Sequence, residues 1–99
     1  MSVFTLRLKE ARLEAGLSQE ALGVLAGIEE DSASARMNQY EKGKHEPDFS
    51  MVERIAKVLN TPACYFYTKD EQLAILIKTF HRMNTNNKTA AFNFIHTLR

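Results

Sequence analysis

A chain of 99 residues has room for one domain and a short appended element, and its 44% apolar residues suffice to pack a core. No apolar run approaches the ~18 residues of a membrane span, and the opening segment Met1–Glu10 lacks the uninterrupted apolar stretch and cleavage site of a secretory signal. The single cysteine, Cys64, excludes an internal disulfide and fits a reducing, cytoplasmic location. The net charge is only +1: residues 1–68 hold eight Lys or Arg against ten Asp or Glu, and residues 69–99 hold five against two. Any polyanionic partner must therefore be met by local geometry, because no global basic field exists to attract it.

In chain order, the apolar spacing is helical almost throughout. Phe4, Leu8, Ala11 and Ala15 fall on one face of a first helix that Gly16 ends. Ser18 is placed to cap a second helix, with Leu22, Leu25 and Ala26 inward and Gly27 closing it. After an acidic connection, Ala33, Met37 and Tyr40 share the inner face of a third helix that stops near Lys42-Gly43. Pro47 marks a loop, and Asp48 or Ser50 caps a fourth helix with Val52, Ile55, Ala56 and Leu59 inward and Glu53 and Lys57 paired outside. Thr61 and Pro62 open a short fifth helix through Phe66, in which Cys64 reads as a small buried apolar residue.

Asp70 caps a sixth helix through Phe80, Asn84–Asn87 reads as a turn, and a last helix carries Ala91, Phe94, Ile95 and Leu98 on one face. The composition shifts near Lys69. This divides the chain into a five-helix unit, residues 1–68, and a C-terminal helical hairpin, residues 69–99, in an all-α fold.

Residues Ser18–Tyr40 meet the needs of two helices joined by a tight turn, the second of which fits a DNA major groove. Ala21, Gly23 and Ala26 allow close approach, while Arg36, Asn38 and Gln39 project outward. Arg36 can fork onto guanine, and Asn38 or Gln39 can pair with adenine. From Arg36 to Lys44 there are three cations and one acid.

The segments Arg12-Leu13-Glu14-Ala15-Gly16-Leu17-Ser18-Gln19-Glu20-Ala21-Leu22 and Tyr40-Glu41-Lys42-Gly43-Lys44-His45-Glu46-Pro47 resemble the lambda repressor and Cro family of helix-turn-helix regulators over roughly residues 4–67. The resemblance implies base contacts at Ser34, Ala35 and Gln39, flanked by Arg36 and Asn38. It implies phosphate contacts at Gln19, Lys42 and Lys44, and a partly buried ion pair between Arg12 and Glu41. The chain departs from that pattern between Gly27 and Glu41, which are separated by thirteen residues, longer than usual by about one helical turn. Either the third helix begins a turn early, capped by Asp31 or Ser32, or the connecting turn is longer. Both place Glu29, Glu30 and Asp31 near the path of the phosphates, which is unfavourable.

The sixth helix, with Leu73-Ala74-Ile75-Leu76-Ile77, is apolar on nearly every side, and too little chain follows to cover it. Leu73, Ile75, Leu76, Ile77, Phe80, Phe92, Phe94 and Ile95 are therefore expected to form a homodimer interface, with Leu6 and Leu13 available to pack against it. A dimer would set two recognition helices one turn of DNA apart and read a palindrome. His45, His81 and His96 lack metal-ligand spacing, and no catalytic, cofactor, or small-molecule pattern stands out, so a non-enzymatic, double-stranded-DNA-binding repressor is expected. The competing reading is a protein-interaction module whose helix-turn-helix no longer binds DNA. The acids at 29–31 favour it, and the Arg36/Asn38/Gln39 face opposes it.

Overall fold

The computed structural model describes residues 2–98, which form six α-helices and one 3₁₀ segment, with no strand among them. Helix α1 (Val3–Glu14) starts at Ser2, whose Oγ accepts the Thr5 N–H. It ends before Gly16, which takes the left-handed φ of 70° that a side chain would resist. Helix α2 (Gln19–Leu25) is capped by Ser18 Oγ on the Ala21 N–H at 3.0 Å. Helix α3 (Glu30–Lys42) ends at Gly43, with φ 75°, where the Lys44 N–H reaches back to the Gln39 carbonyl at 2.9 Å. Helix α4 (Phe49–Leu59) is capped by Asp48, which accepts the Met51 N–H at 2.8 Å.

One core joins these elements. Leu8 and Ala11 from α1, Leu22 and Ala26 from α2, Met37 and Tyr40 from α3, and Val52, Ile55 and Leu59 from α4 are buried together with Tyr65 and Phe66. The last two enter from Ala63–Tyr67, the short fifth helix, which is wound as a 3₁₀ segment. Five residues are too few to propagate an α-helix, and the tighter winding lets adjacent rings turn inward. Thr61 does not cap it, since its Oγ1 is buried without a partner and its N–H closes on the Ala56 carbonyl. Cys64 is exposed, against the expectation of burial, because Tyr65 and Phe66 take the inward positions. Glu53 and Lys57 share the outer face of α4 but form no ion pair.

Helix α5 (Glu71–Arg82) is capped by Asp70 on the Leu73 N–H at 2.8 Å. Helix α6 (Thr85–His96) begins where a turn was expected, because Asn84 Oδ1 accepts the Asn87 N–H at 2.8 Å and starts the helix at Thr85. The hairpin adds little to the core: α5 contributes Ala74 alone as a buried residue and α6 none. The chain is accordingly long, 50 × 26 × 22 Å with a radius of gyration of 14.8 Å, against about 13 Å for a compact chain of this length.

Candidate nucleic-acid interface

Helix α2 lies directly on α3. A Cβ built on Gly23 would sit 2.8 Å from Ala33 Cβ and 2.9 Å from the Ala33 carbonyl, so only glycine permits this crossing. The pair of helices is then locked to α1 by charge. Arg12 Nε donates to one oxygen of Glu41 and Nη2 donates to the other at 3.1 Å, while Nη1 donates to the Leu17 carbonyl at 2.9 Å. The two side chains are 11% and 4% exposed, so the forked pair is largely withdrawn from water and its geometry is strongly held. Arg54 adds a fourth tie, donating from α4 to the Ala26 carbonyl at the end of α2 at 2.9 Å.

Gln19 stands at the first position of α2, half-buried. Its Nε2 donates to Asn38 Oδ1 and to Glu41 Oε1, each at 3.2 Å, so the side chain bridges the entry of α2 to the outer side of α3. Asn38 is thereby half-buried and engaged, not free.

Ala33, Met37, Tyr40 and Glu41 form the inner face of α3. At 100° per residue, the opposite stripe is Asp31, Ala35, Asn38, Gln39 and Lys42. Ser34 and Arg36 are exposed but flank this stripe on opposite sides. The Arg36 head lies on the flank toward Tyr40, donating from Nη2 to the phenol oxygen at 3.0 Å and resting 6.0 Å from the ring centre. Its Nε and Nη1 retain their protons for another acceptor. Lys42 and Lys44 are both exposed, Lys42 in the last turn of α3 and Lys44 just past Gly43.

The surplus between Gly27 and Glu41 is helix: α3 starts at Glu30, capped by Glu29 with no side-chain bond, and not at Asp31 or Ser32. Glu30 and Asp31 occupy the first turn, where the helix dipole favours acids, and Lys42 the last, where it favours bases. The helix thus carries a gradient of charge, negative at its tip and positive at its base.

The expected interface residues on the hairpin fall into two groups. Leu73, Ile75, Leu76, Phe92, Phe94 and Ile95 are 48–64% exposed. Ile77 and Phe80 are half-buried, and with Leu76 and Ile95 they line an apolar groove of about 410 Å³ between the 3₁₀ segment, α5 and α6. Leu6 and Leu13 remain 42% and 58% exposed, because α1 meets α5 through other residues.

Those residues were not anticipated. Arg7, 2% exposed, donates to the Thr68 and Lys69 carbonyls at 3.0 and 3.1 Å and to Glu10 and Glu71 at 3.0 and 2.9 Å. Burial opposes its charge, but the Glu71 and Glu10 carboxylates more than offset this and raise its pKa. Its signal was a cation set within the apolar stripe of Phe4, Leu8 and Ala11, at i+3 from Phe4 and i−4 from Ala11.

A helix-turn-helix family model matches residues 8–66. Among solved structures, the crystal structure of the transcriptional regulator BswR is similar to this chain with a TM-score of 0.88 and 43% identity, over 99% of this chain and 95% of that one. The similarity therefore extends through the hairpin. A comparison with curated proteins found no match. No helix among the described residues is long and apolar enough to cross a membrane. The chain belongs to the helix-turn-helix family of the lambda repressor and Cro type, and it is a DNA-binding protein rather than an enzyme.

Proposed function

We propose that this protein is a cytoplasmic transcriptional repressor that binds a palindromic operator as a homodimer and blocks access to the DNA it covers. The observation that carries the reading is the contrast between the two faces of α3. Its inner face is immobilised by the Gly23–Ala33 crossing and the Arg12–Glu41 pair, and its outer face offers polar side chains at helical spacing. A major groove about 12 Å wide accepts such a helix.

Gln39 is assigned to base edges, together with the Nδ2 of Asn38, whose Oδ1 is engaged by Gln19, with Ala35 in apolar contact and Ser34 at the margin. Arg36 reaches a neighbouring base or phosphate with the donors that Tyr40 leaves free. Lys42 and Lys44 take phosphates, fixing register without reading sequence. The free backbone N–H groups at the start of α2 supply the phosphate contact assigned to Gln19, whose side-chain amide hydrogens are already donated to Asn38 and Glu41. Phosphates repel Glu29, Glu30 and Asp31, so the tip of α3 disfavours indiscriminate binding. The exposed apolar residues of α5 and α6 supply the dimer surface.

Selection from a random duplex DNA library at two salt concentrations tests the proposal. Enrichment of a palindrome, with affinity falling steeply as salt rises, is the expected result. Enrichment of a single unpaired half-site would remove the dimer from the proposal. No enrichment at low salt would leave the protein-interaction reading, which the three exposed acids at the tip of α3 favour.

A further inference from the structure

Besides the packing of Ala74 and Ile77 on the core, the joint between the helix-turn-helix unit and the hairpin carries directional polar contacts at two points. At the first, buried Arg7 of α1 holds both the connecting backbone, through the Thr68 and Lys69 carbonyls, and the first turn of α5, through Glu71. At the second, Glu14 of α1 accepts from Lys78 at 2.9 Å and from Arg82 at 2.9 Å. Arg82 also donates to the Leu59 and Asn60 carbonyls at 3.1 and 2.9 Å, so α4 is tied to the same point.

The spacing of these contacts is informative. Residues 7 and 14 of α1 meet residues 71 and 78 of α5, seven residues apart on each helix and about 10.5 Å along each axis. The two helices therefore run parallel, side by side, and two fixed points define one rotation. Both cations also flank the ring of buried Tyr65, Arg7 at 5.9 Å and Lys78 at 5.8 Å from its centre, while Ala74 is the one fully buried side chain of α5. Apolar packing tolerates sliding and rotation, whereas a guanidinium or carboxylate engaged at several atoms does not.

We infer that Arg7 and Glu14 act as positioning residues that set the angle between hairpin and recognition helix, and thereby the separation of operator half-sites that the dimer accepts. The inference rests on the dimeric reading proposed above. Each added base pair moves one half-site by about 3.4 Å and rotates it by roughly 34°. A stiff joint resists that rotation, and a loosened one absorbs it.

The test uses the full chain and duplexes carrying two identical half-sites whose separation is varied in single base pairs. The wild type is expected to lose about tenfold in affinity for one base pair either side of its optimum, a loss of the size of a single mismatch. Glu14→Ala, at a position whose side chain is 43% exposed, should flatten that loss to about threefold or less. Sedimentation should still show a dimer. Arg7→Met should flatten it further where the variant folds, and the exposed Glu71→Ala removes the same contact without burying an unpaired charge. A variant that binds every spacing more weakly by the same factor, keeping the sharp optimum, would overturn the inference and leave the contacts structural. A wild type that is monomeric, or indifferent to spacing, would overturn the dimeric reading and the inference with it.

Discussion

Helices of nearly the same length behave differently in the two parts of this molecule. In α4, Ile55 is 0% exposed, and in α5, Ile75 is 51% exposed, although both lie in apolar sequences of eleven or twelve residues. The helix-turn-helix unit buries one continuous apolar core, although Leu25, expected inward, is 61% exposed, and uses charge to fix the angle of α3. The hairpin reverses this arrangement. Charge attaches it to α1 and α4, and its apolar surface faces outward. A domain that must present one helix at a defined angle gains from a rigid core. An element that meets a second copy, as proposed for the hairpin, gains from keeping apolar surface unpartnered.

Four outcomes test that contrast. The largest effect is expected in the lock on α3. Glu41→Ala strands a largely buried Arg12 and removes a partner of Gln19, and it should lower unfolding free energy by about 3–5 kcal/mol in urea titration. A loss below about 1 kcal/mol would mean that packing alone sets the angle of α3.

Next come matched isoleucine truncations. Ile55→Ala should destabilise by about 2–5 kcal/mol at every protein concentration. Ile75→Ala should change the unfolding of dilute chain by less than about 0.5 kcal/mol, yet weaken self-association in sedimentation. Equal effects would erase the distinction between the two regions. Gly23→Ala follows, at about 1–3 kcal/mol, since its Cβ must displace the backbone of α3. The same variant should lose DNA affinity through the shifted α3.

The smallest effect concerns pH. Hydrogen bonds from Lys78 and then Arg82 hold the Glu14 carboxyl below the usual glutamate range. A lowered folded pKa gives stability that is present above the unfolded value of about 4.3 and lost as pH falls through the folded one. Acidification below about pH 4 should therefore loosen the hairpin at α5, seen as faster amide exchange there than in α4, and Glu14→Gln should remove much of that dependence. Uniform acid loosening of both regions would count against a charge-held joint.

The order of the helices, the caps at Ser18, Asp48 and Asp70, and the stops at Gly16 and Gly43 were legible in residue order, because local hydrogen bonding and positive φ decide them. Asn84–Asn87 reads in the sequence as a turn, but Asn84 caps α6, since asparagine serves both roles and residue order alone does not separate them. The outer stripe of α3 was likewise readable from period 3.6. The engagement of Arg36 with Tyr40, and of Gln19 with Asn38 and Glu41, was not, since rotamers depend on neighbours in space.

Thus periodicity, capping chemistry and two separated motifs were enough to establish an all-helical DNA-binding chain with an apolar hairpin. Whether an apolar or charged side chain would be buried was decided only when the helices came together. Arg7, polar in any sequence scale, is 2% exposed because Glu10, Glu71 and two carbonyls converge on it. Cys64 and Ile75, apolar in every scale, stay at the surface: Tyr65 and Phe66 take the inward positions beside Cys64, and Ile75 is 51% exposed on α5. Periodicity is a property of neighbours along the chain, whereas burial also depends on contacts between residues distant in sequence, such as Arg12 with Glu41 at a separation of 29 and Arg7 with Glu71 at 64.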